Sequence, residues 1–507
     1  MKKLALFSLL LVVLLITGFF VINPIAKYYL NKEISKFEKQ ENILFYGLEI
    51  DIFQNCFSID SLSSNNKDSL HTFSAKGLSI KGIDYLALLK DAHISLDSFS
   101  IKSVEYQLKI DSVEELKSDE SKVNSQSKFN HITISHFKVN SLDAHFETKS
   151  KEENAINQLS NLYLETSGLE LMLNDSSKIK SFEKIKLHAD SFSHNREHLQ
   201  FSFKNMQLHN DSIQLVDFLI KTKKDYEFRH RKTSLDAKIE DIRIELALQE
   251  LLRENTFNVF KVELDQYQVQ AHMDKRKPSD EEIKSGLHNS LMNLAVTLNL
   301  DSFIAKNGHI SYSEQVKNSP KRGKVFFTDV LISATNLTNK ESKLVSNPIA
   351  ILDLRGNLMG EGDLKAHVQF DLKSELGAHR LKGSLGKMDL TSLNEVLKPI
   401  VFVDFKSGQC EQLIFNFSAN QNEAKGDLDF YYQNMKIQFH SRQNIKRPAI
   451  ITKLGTGLVN ALVVRRNNPM NDKFKHGSID FQRDKTKSIF NFWWKSVFTG
   501  MANTIVN

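Results

Sequence analysis

The sequence predicts a mainly β fold: an N-terminal transmembrane helix, then an elongated, curved antiparallel sheet, and a helical cap at the C-terminal end. Three observations predict it. Apolar and polar residues alternate with a period of two through much of residues 43–439, the pattern of strands with two different faces. Glycine and proline number only 20 and 7 among 507 residues, which favours long regular elements. The two ends of the chain depart from this alternation.

The N-terminal 40 residues predict a membrane anchor. Residues 4–22 are apolar apart from Ser8, Thr17 and Gly18, and such a helix would span about 28 Å, close to the ~30 Å hydrocarbon core of a bilayer. A cleaved signal peptide is the alternative, but residues 19–24 offer no small-residue cleavage site. We therefore expect an uncleaved signal anchor with the bulk of the chain outside the cytoplasm. The anchor side chains include Leu4, Leu10, Leu15, Phe20 and Ile22.

The middle of the chain predicts strands with one wet face and one apolar face. Apolar residues alternate with polar ones in residues 364–372 and again in residues 435–439. Antiparallel sheets tolerate this arrangement, whereas parallel sheets bury both faces. A closed barrel, a sandwich and a lipid-filled groove would each hide the apolar face. The candidate lipid-groove residues are Leu364, Val368, Phe370, Leu372, Met435, Ile437 and Phe439.

A repeat unit recurs in this region: an alternating strand, a short polar kink, and a second strand. Its copies include segments beginning at His93, Ile132, Phe260 and Val296. Their irregular spacing argues against a fixed-period solenoid or propeller. We expect each unit to be one strand that bends or bulges into the next part of a continuous sheet.

Motifs for catalysis are weak. His194, Glu197 and His198 satisfy H-x-x-E-H, but zinc-protease chemistry needs them on one long helix, and their neighbours alternate as strands. We expect a polar turn and no metal site there. Residues 455–457 read Gly-Thr-Gly, but Asn460 replaces the third glycine of a dinucleotide loop, and no βαβ context precedes it. The sequence therefore predicts a protein that is not an enzyme and has no cofactor.

The C-terminal segment predicts an amphipathic helix over residues 488–503, where apolar residues recur every three to four positions. It holds both tryptophans of the chain, and Lys485 and Lys487 precede it. Aromatic and basic residues on such a helix suit a membrane interface. Alternatively, the helix caps the open end of the sheet. The residues concerned are Phe490, Trp493, Trp494, Lys495, Val497 and Phe498.

The order of these features resembles the AsmA-like family, the AsmA/TamB-type repeating β-groove envelope proteins of Gram-negative bacteria. The likeness is clearest where Leu390-Thr391-Ser392-Leu393-Asn394 leads to strands at residues 413–417 and 428–432, with Gly426 between them. It implies an anchor and juxtamembrane helix at 1–40, a repeating sheet body at 41–389, and an AsmA-like C-terminal module at 390–507.

The resemblance further implies a function. It suggests a single-pass inner-membrane protein, with its bulk in the periplasm, that binds or conducts phospholipid or another acyl lipid along an apolar β-groove for outer-membrane homeostasis. The alternative is a non-enzymatic assembly or scaffold factor for outer-membrane proteins or envelope complexes, with a protein partner at the C-terminal end.

The charge distribution fits an envelope protein. The net charge of +6 hides +4 in residues 1–40 and +9 in residues 442–495, which leaves −7 for the remainder. Basic clusters are attracted to anionic lipid head groups, so we expect the two ends to favour membranes. Nucleic acid is not expected as a partner. Two cysteines, Cys56 and Cys410, are too few for a disulfide framework.

Overall fold

The computed structural model describes only part of the chain. The predicted anchor at residues 4–22 and the glycine pair at residues 455–457 lie outside the described residues. Among the residues that are described, no helix combines the length and the apolarity needed to cross a bilayer. The described residues are 27–28, 32, 43–64, 70–84, 87, 93–110, 131–149, 154–172, 178–223, 228–279, 282–317, 319–440 and 464–506.

The chain forms two compact units. Unit 1 comprises residues 1–217 and 248–254, and unit 2 comprises residues 218–247 and 255–507. Strand β12 (Ser212–Thr222) contains the point in the sequence where unit 1 ends and unit 2 begins. The sequence divisions at residues 40 and 390 stay predictions.

The mainly β fold is confirmed in both units. The elements of unit 1 are β1 (Ile43–Asp51), β2 (Cys56–Ser64), β3 (His71–Ile83), β4 (His93–Ile110), β5 (His131–Val139), β6 (Leu142–Lys149), β7 (Asn154–Ser160), β8 (Tyr163–Met172), β9 (Lys178–Ser181), β10 (Lys184–Arg196), β11 (Leu199–His209) and α1 (Leu248–Glu254). Those of unit 2 are β13 (Thr233–Leu246), β14 (Thr256–Asp274), α2 (Leu287–Met292), β15 (Thr297–Gln315), β16 (Gly323–Thr338), α3 (Glu341–Ser346), β17 (Ile349–Leu358), β18 (Gly362–Asp371), β19 (His379–Leu385), β20 (Met388–Asp389), a 3-10 turn (Leu390–Leu393), α4 (Asn394–Val401), β21 (Val403–Ala419), β22 (Glu423–Phe439), β23 (Gly477–Gln482) and α5 (Ile489–Ile505).

The expected purely antiparallel sheet is wrong, because the strand pairing is mixed. In unit 1, β4 runs parallel to β5 and β6, and in unit 2, β14 runs parallel to β15. These are the strands that carry the repeat units, and equivalent positions lie side by side, as in His93 opposite His131. A parallel pair needs a long crossover connection. The polar stretches between the copies, such as residues 111–130, provide that length of chain.

The polar kink of each repeat unit keeps the apolar side chains on one face. In β4 the strand register skips Asp97, opposite Gly82, and Lys102, opposite Gly77. Each skipped residue shifts the alternation by one position. Gly82 has φ +66°, and a Cβ there would lie 1.9 Å from Asp97 Oδ2, so glycine is required. The apolar residues of β4 thus change phase twice, running as Ile94 and Leu96, then Phe99 and Ile101, then Val104, Tyr106, Leu108 and Ile110.

The largest hydrophobic core of the described residues lies in unit 2. There α5 packs on β22 and β23, and side chains such as Phe417, Phe430 and Tyr432 are almost completely buried. Unit 1 has smaller buried clusters, one around Leu96, Ile134 and Leu169 and one under α1. The apolar face of the sheet is therefore buried more extensively in unit 2 than in unit 1.

Candidate functional site

Apolar side chains in unit 1 line up in rows that cross successive strands. Because neighbouring strands are paired in register, one residue from each of several strands falls into each row, and β6, β7 and β9 contribute to neither row. Two such rows, which are given in the next two sentences, form a surface that we call the open face. The first row runs through Leu48, Ile59, Leu78, Ile101, Val139, Leu164, Leu187 and Leu208. The second runs through Ile50, Phe57, Ile80, Phe99, Phe137, Thr166 and Ile185.

The open face is only partly covered. Phe99 and Phe137 stack with their ring centroids 5.5 Å apart, yet both remain half-buried, as do Phe57 and Ile80. Helix α1 packs over the end of the rows at β10 and β11. Among the described residues of unit 1, α1 is the one helix that packs over these rows. The first row is more deeply covered, since Leu48, Ile59, Val139 and Leu208 are buried. The partly exposed apolar surface therefore lies mainly along the second row, from Ile50 to Phe137.

The opposite face of the same strands is polar. Glu170 lies between Leu169 and Leu171 in β8 and so points away from the apolar rows. Its carboxylate contacts Lys180 Nζ at 3.0 Å, and this hydrogen bond from Lys180 lowers the pKa of Glu170. The sheet of unit 1 is thus amphipathic, with charge on one side and hydrocarbon on the other.

The sequence-predicted groove residues lie elsewhere, in the core of unit 2. Val368, Phe370, Leu372 and Met435 are buried, and Leu364 and Ile437 pack partly buried against the same cluster. Phe439 ends β22, opposite Val403, and its side chain is outside the described set. The alternation identified an apolar face correctly here, but a helix fills the space above it. Sequence reasoning did not single out the rows of unit 1, although their residues alternate in the same way.

Helix α5 covers β22 and β23 in unit 2. It begins after Ser488, whose Oγ accepts a hydrogen bond from the Asn491 amide, a common N-cap arrangement. Ile489, Phe492 and Gly500 face the sheet and are buried. A Cβ on Gly500 would lie 2.9 Å from both Ile479 Cγ1 and Leu428 Cβ. The helix therefore sits as close to the strands as its backbone allows.

His379 of β19 connects α5 to the sheet through its contact with Trp493. Trp493 Nε1 donates to His379 Nε2 at 2.9 Å, so His379 is neutral with its proton on Nδ1, which donates to Gly377 O at 2.9 Å. Burial lowers the pKa of His379, and the charge of Arg483 lowers it further. Phe370 packs against both rings. Trp493 thus packs inside unit 2, and Val497 also packs on the hydrophobic core of unit 2.

The outward side of α5 is aromatic. Phe490 and Trp494 are 63% and 47% exposed, and Phe498 is half-buried, with its ring centroid 5.8 Å from that of Trp494. Lys495 lies beside Trp494 in the sequence and is half-buried. The structure therefore divides the predicted cap and interface residues into an inward set and an outward set.

The H-x-x-E-H sequence forms a hairpin, as expected. His194 and Arg196 end β10, and Glu197 and His198 form the turn before β11. Both ring nitrogens of His194 are engaged: one contacts Asn157 Oδ1, and Nε2 accepts from Arg196 Nε at 3.0 Å. The side chains are not arranged on one helix, as zinc-protease chemistry requires.

Other reactive groups do not assemble into a centre. Within the described residues, no group of three or more His, Cys, Asp or Glu side chains is placed to hold a metal ion. Cys410 is buried, which raises its pKa to about 12 and disfavours the reactive thiolate. No protein-family model matches the chain, and no curated protein matches it. Among the features of the described residues, the open face is therefore the strongest candidate for a binding site.

Proposed function

We propose that the protein is a non-enzymatic lipid-handling protein of the cell envelope, which holds acyl chains against the open face of unit 1. The observation that carries this proposal is the apolar stretch of the second row, partly exposed at Phe57, Ile80, Phe99 and Phe137. Soluble proteins rarely expose large contiguous apolar patches unless something binds them.

The dimensions of the rows suit an acyl chain. Five strands at ~4.8 Å spacing give the partly exposed stretch of the second row, from Ile50 to Phe137, a length of roughly 19 Å. One leaflet contributes about half of the ~30 Å hydrocarbon core, so the row exceeds the length of one acyl layer. Each buried methylene contributes about 0.8 kcal/mol. A lipid tail along a row therefore binds without any specific polar contact.

The cellular setting rests on the N-terminal sequence and on the family resemblance. The apolar run at residues 4–22 supports an inner-membrane anchor, and the AsmA-like order of features supports a periplasmic position for the β units. In this setting the open face binds or conducts phospholipid for outer-membrane homeostasis.

Site-specific photo-crosslinking in cells tests the proposal. A photoreactive phenylalanine analogue replaces Phe99 on the open face, and a matched control replaces Ser100, which follows it and points to the polar face. We expect lipid adducts at position 99 and few at position 100. Protein adducts at position 99 would support the scaffold alternative instead, and equal adducts at both positions would contradict binding by the open face.

A second test measures bound lipid directly. Phe99→Glu and Phe137→Glu place charge among the apolar side chains, which disfavours hydrocarbon, while Ser100→Glu adds the same charge to the polar face. Lipid extracted per mole of purified protein should fall severalfold in the first two variants only. Circular dichroism checks that all three variants remain folded.

A further inference from the structure

Three separate segments of unit 2 bring exposed apolar side chains to one end of its sheet. Lys284 N donates to Lys485 O at 2.9 Å, which fixes residues 282–287 beside the segment that leads into α5. Arg483 reinforces this contact by donating to Lys284 O at 3.0 Å. The chain before α2 and the start of α5 are therefore neighbours.

The turn between β18 and β19 joins the same end. His288 Nε2 contacts Leu372 O at 2.9 Å, and Gln421 N donates to Leu376 O at 2.9 Å. Gln421 Nε2 also donates to Asn289 Oδ1 at 2.7 Å. These hydrogen bonds hold the turn against α2 and the β21–β22 turn.

The joined segments expose large apolar side chains. Ile283 is 72% exposed and Leu376 is 52% exposed, and together with Leu287, Phe490 and Trp494 they are among the most exposed large apolar residues of unit 2. We call these five residues the aromatic end. They lie on the loop before α2, the start of α2, the β18–β19 turn and the first two turns of α5, and side chains spread over such separate segments suit shallow insertion into a fluid surface better than a shaped protein interface.

The charge of the aromatic end is positive. Residues 483–495 carry four Lys or Arg and one Asp, a net charge of +3. The other two segments are balanced, since residues 282–287 and residues 372–377 each hold one Lys and one Glu. Tryptophan and phenylalanine beside lysine are typical of membrane interfaces, and the positive charge complements anionic head groups.

We propose that the aromatic end docks on the surface of an anionic lipid bilayer, with Phe490 and Trp494 entering the head-group region. Docking is independent of lipid uptake by the open face, so either proposal can fail without the other.

Tryptophan fluorescence tests the docking, because Trp493 and Trp494 are the only tryptophans in the chain. The full-length protein is held in phosphatidylcholine nanodiscs by its predicted N-terminal anchor and mixed with vesicles of brominated lipid, which quench an inserted indole. Vesicles containing phosphatidylglycerol should quench the emission of Trp494 in Trp493→Phe. Phosphatidylcholine vesicles should quench it much less, and salt should weaken the effect.

Matched variants assign the effect to the aromatic end. Trp494→Phe retains only the inward Trp493, so its quenching should be several times weaker. Phe490→Ser, with Trp494 still present, should raise the apparent dissociation constant for anionic vesicles about tenfold. Val345→Ser removes a side chain that is 64% exposed on α3 and should leave binding unchanged.

Three results would overturn the proposal. They are equal quenching by neutral and anionic vesicles, equal quenching in Trp493→Phe and Trp494→Phe, and no response to Phe490→Ser in folded protein. Protection of Trp494 by an envelope protein extract, with no response to vesicles, would likewise replace the bilayer with a protein partner. If Trp493→Phe does not fold, the difference between native and Trp494→Phe spectra reports Trp494.

Discussion

The same strand pattern produces an open face in unit 1 and a covered core in unit 2. Phe99 and Phe137 alternate with polar neighbours and remain half-buried, whereas Phe417 and Phe430 alternate in the same way and are only 1% exposed. The difference arises because α5 packs on β22 and β23. Alternation determines which face of a sheet is apolar, but the element packed above it determines whether that face is available to a ligand.

The two apolar faces should contribute differently to the stability of the protein. In unit 2 the apolar face contributes to folding, because its side chains are removed from water by the rest of the chain. In unit 1 less of that free energy is gained on folding, because side chains such as Phe99 and Phe137 stay partly exposed. We therefore expect the covered core to respond strongly to truncation of its side chains and the open face to respond weakly.

Phe492→Ala is expected to have the largest effect. Phe492 is 2% exposed under α5, and removing such a ring costs about 3–5 kcal/mol in the free energy of unfolding. Phe99→Ala is the matched change on the open face and should cost less, since the ring of Phe99 is only partly buried in the folded protein. Denaturant unfolding followed by tryptophan emission reports unit 2, and hydrogen exchange of β4 reports unit 1. Equal costs in lipid-free protein would contradict the distinction between the two faces.

Gly500→Val tests how closely α5 must approach the sheet. A side chain at this position meets Ile479 and Leu428 at 2.9 Å, and overpacking of this kind costs about 1–3 kcal/mol. We expect a lower denaturant midpoint and a red shift of tryptophan emission as the helix moves outward. Thr499→Val, at a half-buried position of the same helix, should change neither quantity by a comparable amount. An unchanged midpoint in Gly500→Val would show that the close packing is dispensable.

Much of the fold follows from local patterns in the sequence. Period-two alternation located the strands, and the spacing of Phe490, Trp494 and Phe498 indicated α5. The pairing direction did not follow, because a repeat unit has the same alternation whether its copies run parallel or antiparallel. His93 and His131 lie side by side, which depends on a crossover that leaves no periodic signal.

The candidate site was less predictable for the same reason. Val368 and Phe99 occupy equivalent apolar positions in their strands, and only the three-dimensional packing buries Val368 at 2% exposure and leaves Phe99 partly exposed. Long-range contacts such as Trp493 to His379, separated by 114 residues, decide this outcome. They depend on tertiary placement and not on local propensity.

The stability of the covered core should depend on pH through His379. Its pKa is lowered in the folded protein, so below the ordinary value of about 6.5 the unfolded chain binds a proton that the folded chain does not. The free energy of unfolding should therefore fall as pH drops from about 6.5, by at most about 1 kcal/mol over the first unit. His379→Gln can still accept from Trp493 but does not titrate in this range, so its profile should be flatter. Parallel profiles would exclude His379 as the origin.

Asn161→Ala is expected to have the smallest effect, and it tests a feature that both units share. Left-handed residues such as Asn161, with φ +48°, and Asn307, with φ +56°, mark strand ends and kinks in unit 1 and unit 2. Asn161 also connects neighbouring strands, since its backbone N–H donates to Asp143 Oδ1 at 3.0 Å and its side-chain Nδ2 donates to Asp190 Oδ2 at 2.9 Å.

Alanine disfavours this backbone conformation by about 1 kcal/mol and glycine does not. Hydrogen exchange of β10 should therefore accelerate modestly in Asn161→Ala and less in Asn161→Gly, because glycine loses only the side-chain hydrogen bond. Equal acceleration in both variants would assign the role of Asn161 to its contact with Asp190 and not to its backbone conformation. In either variant the bound lipid should stay constant, because Asn161 lies outside both apolar rows.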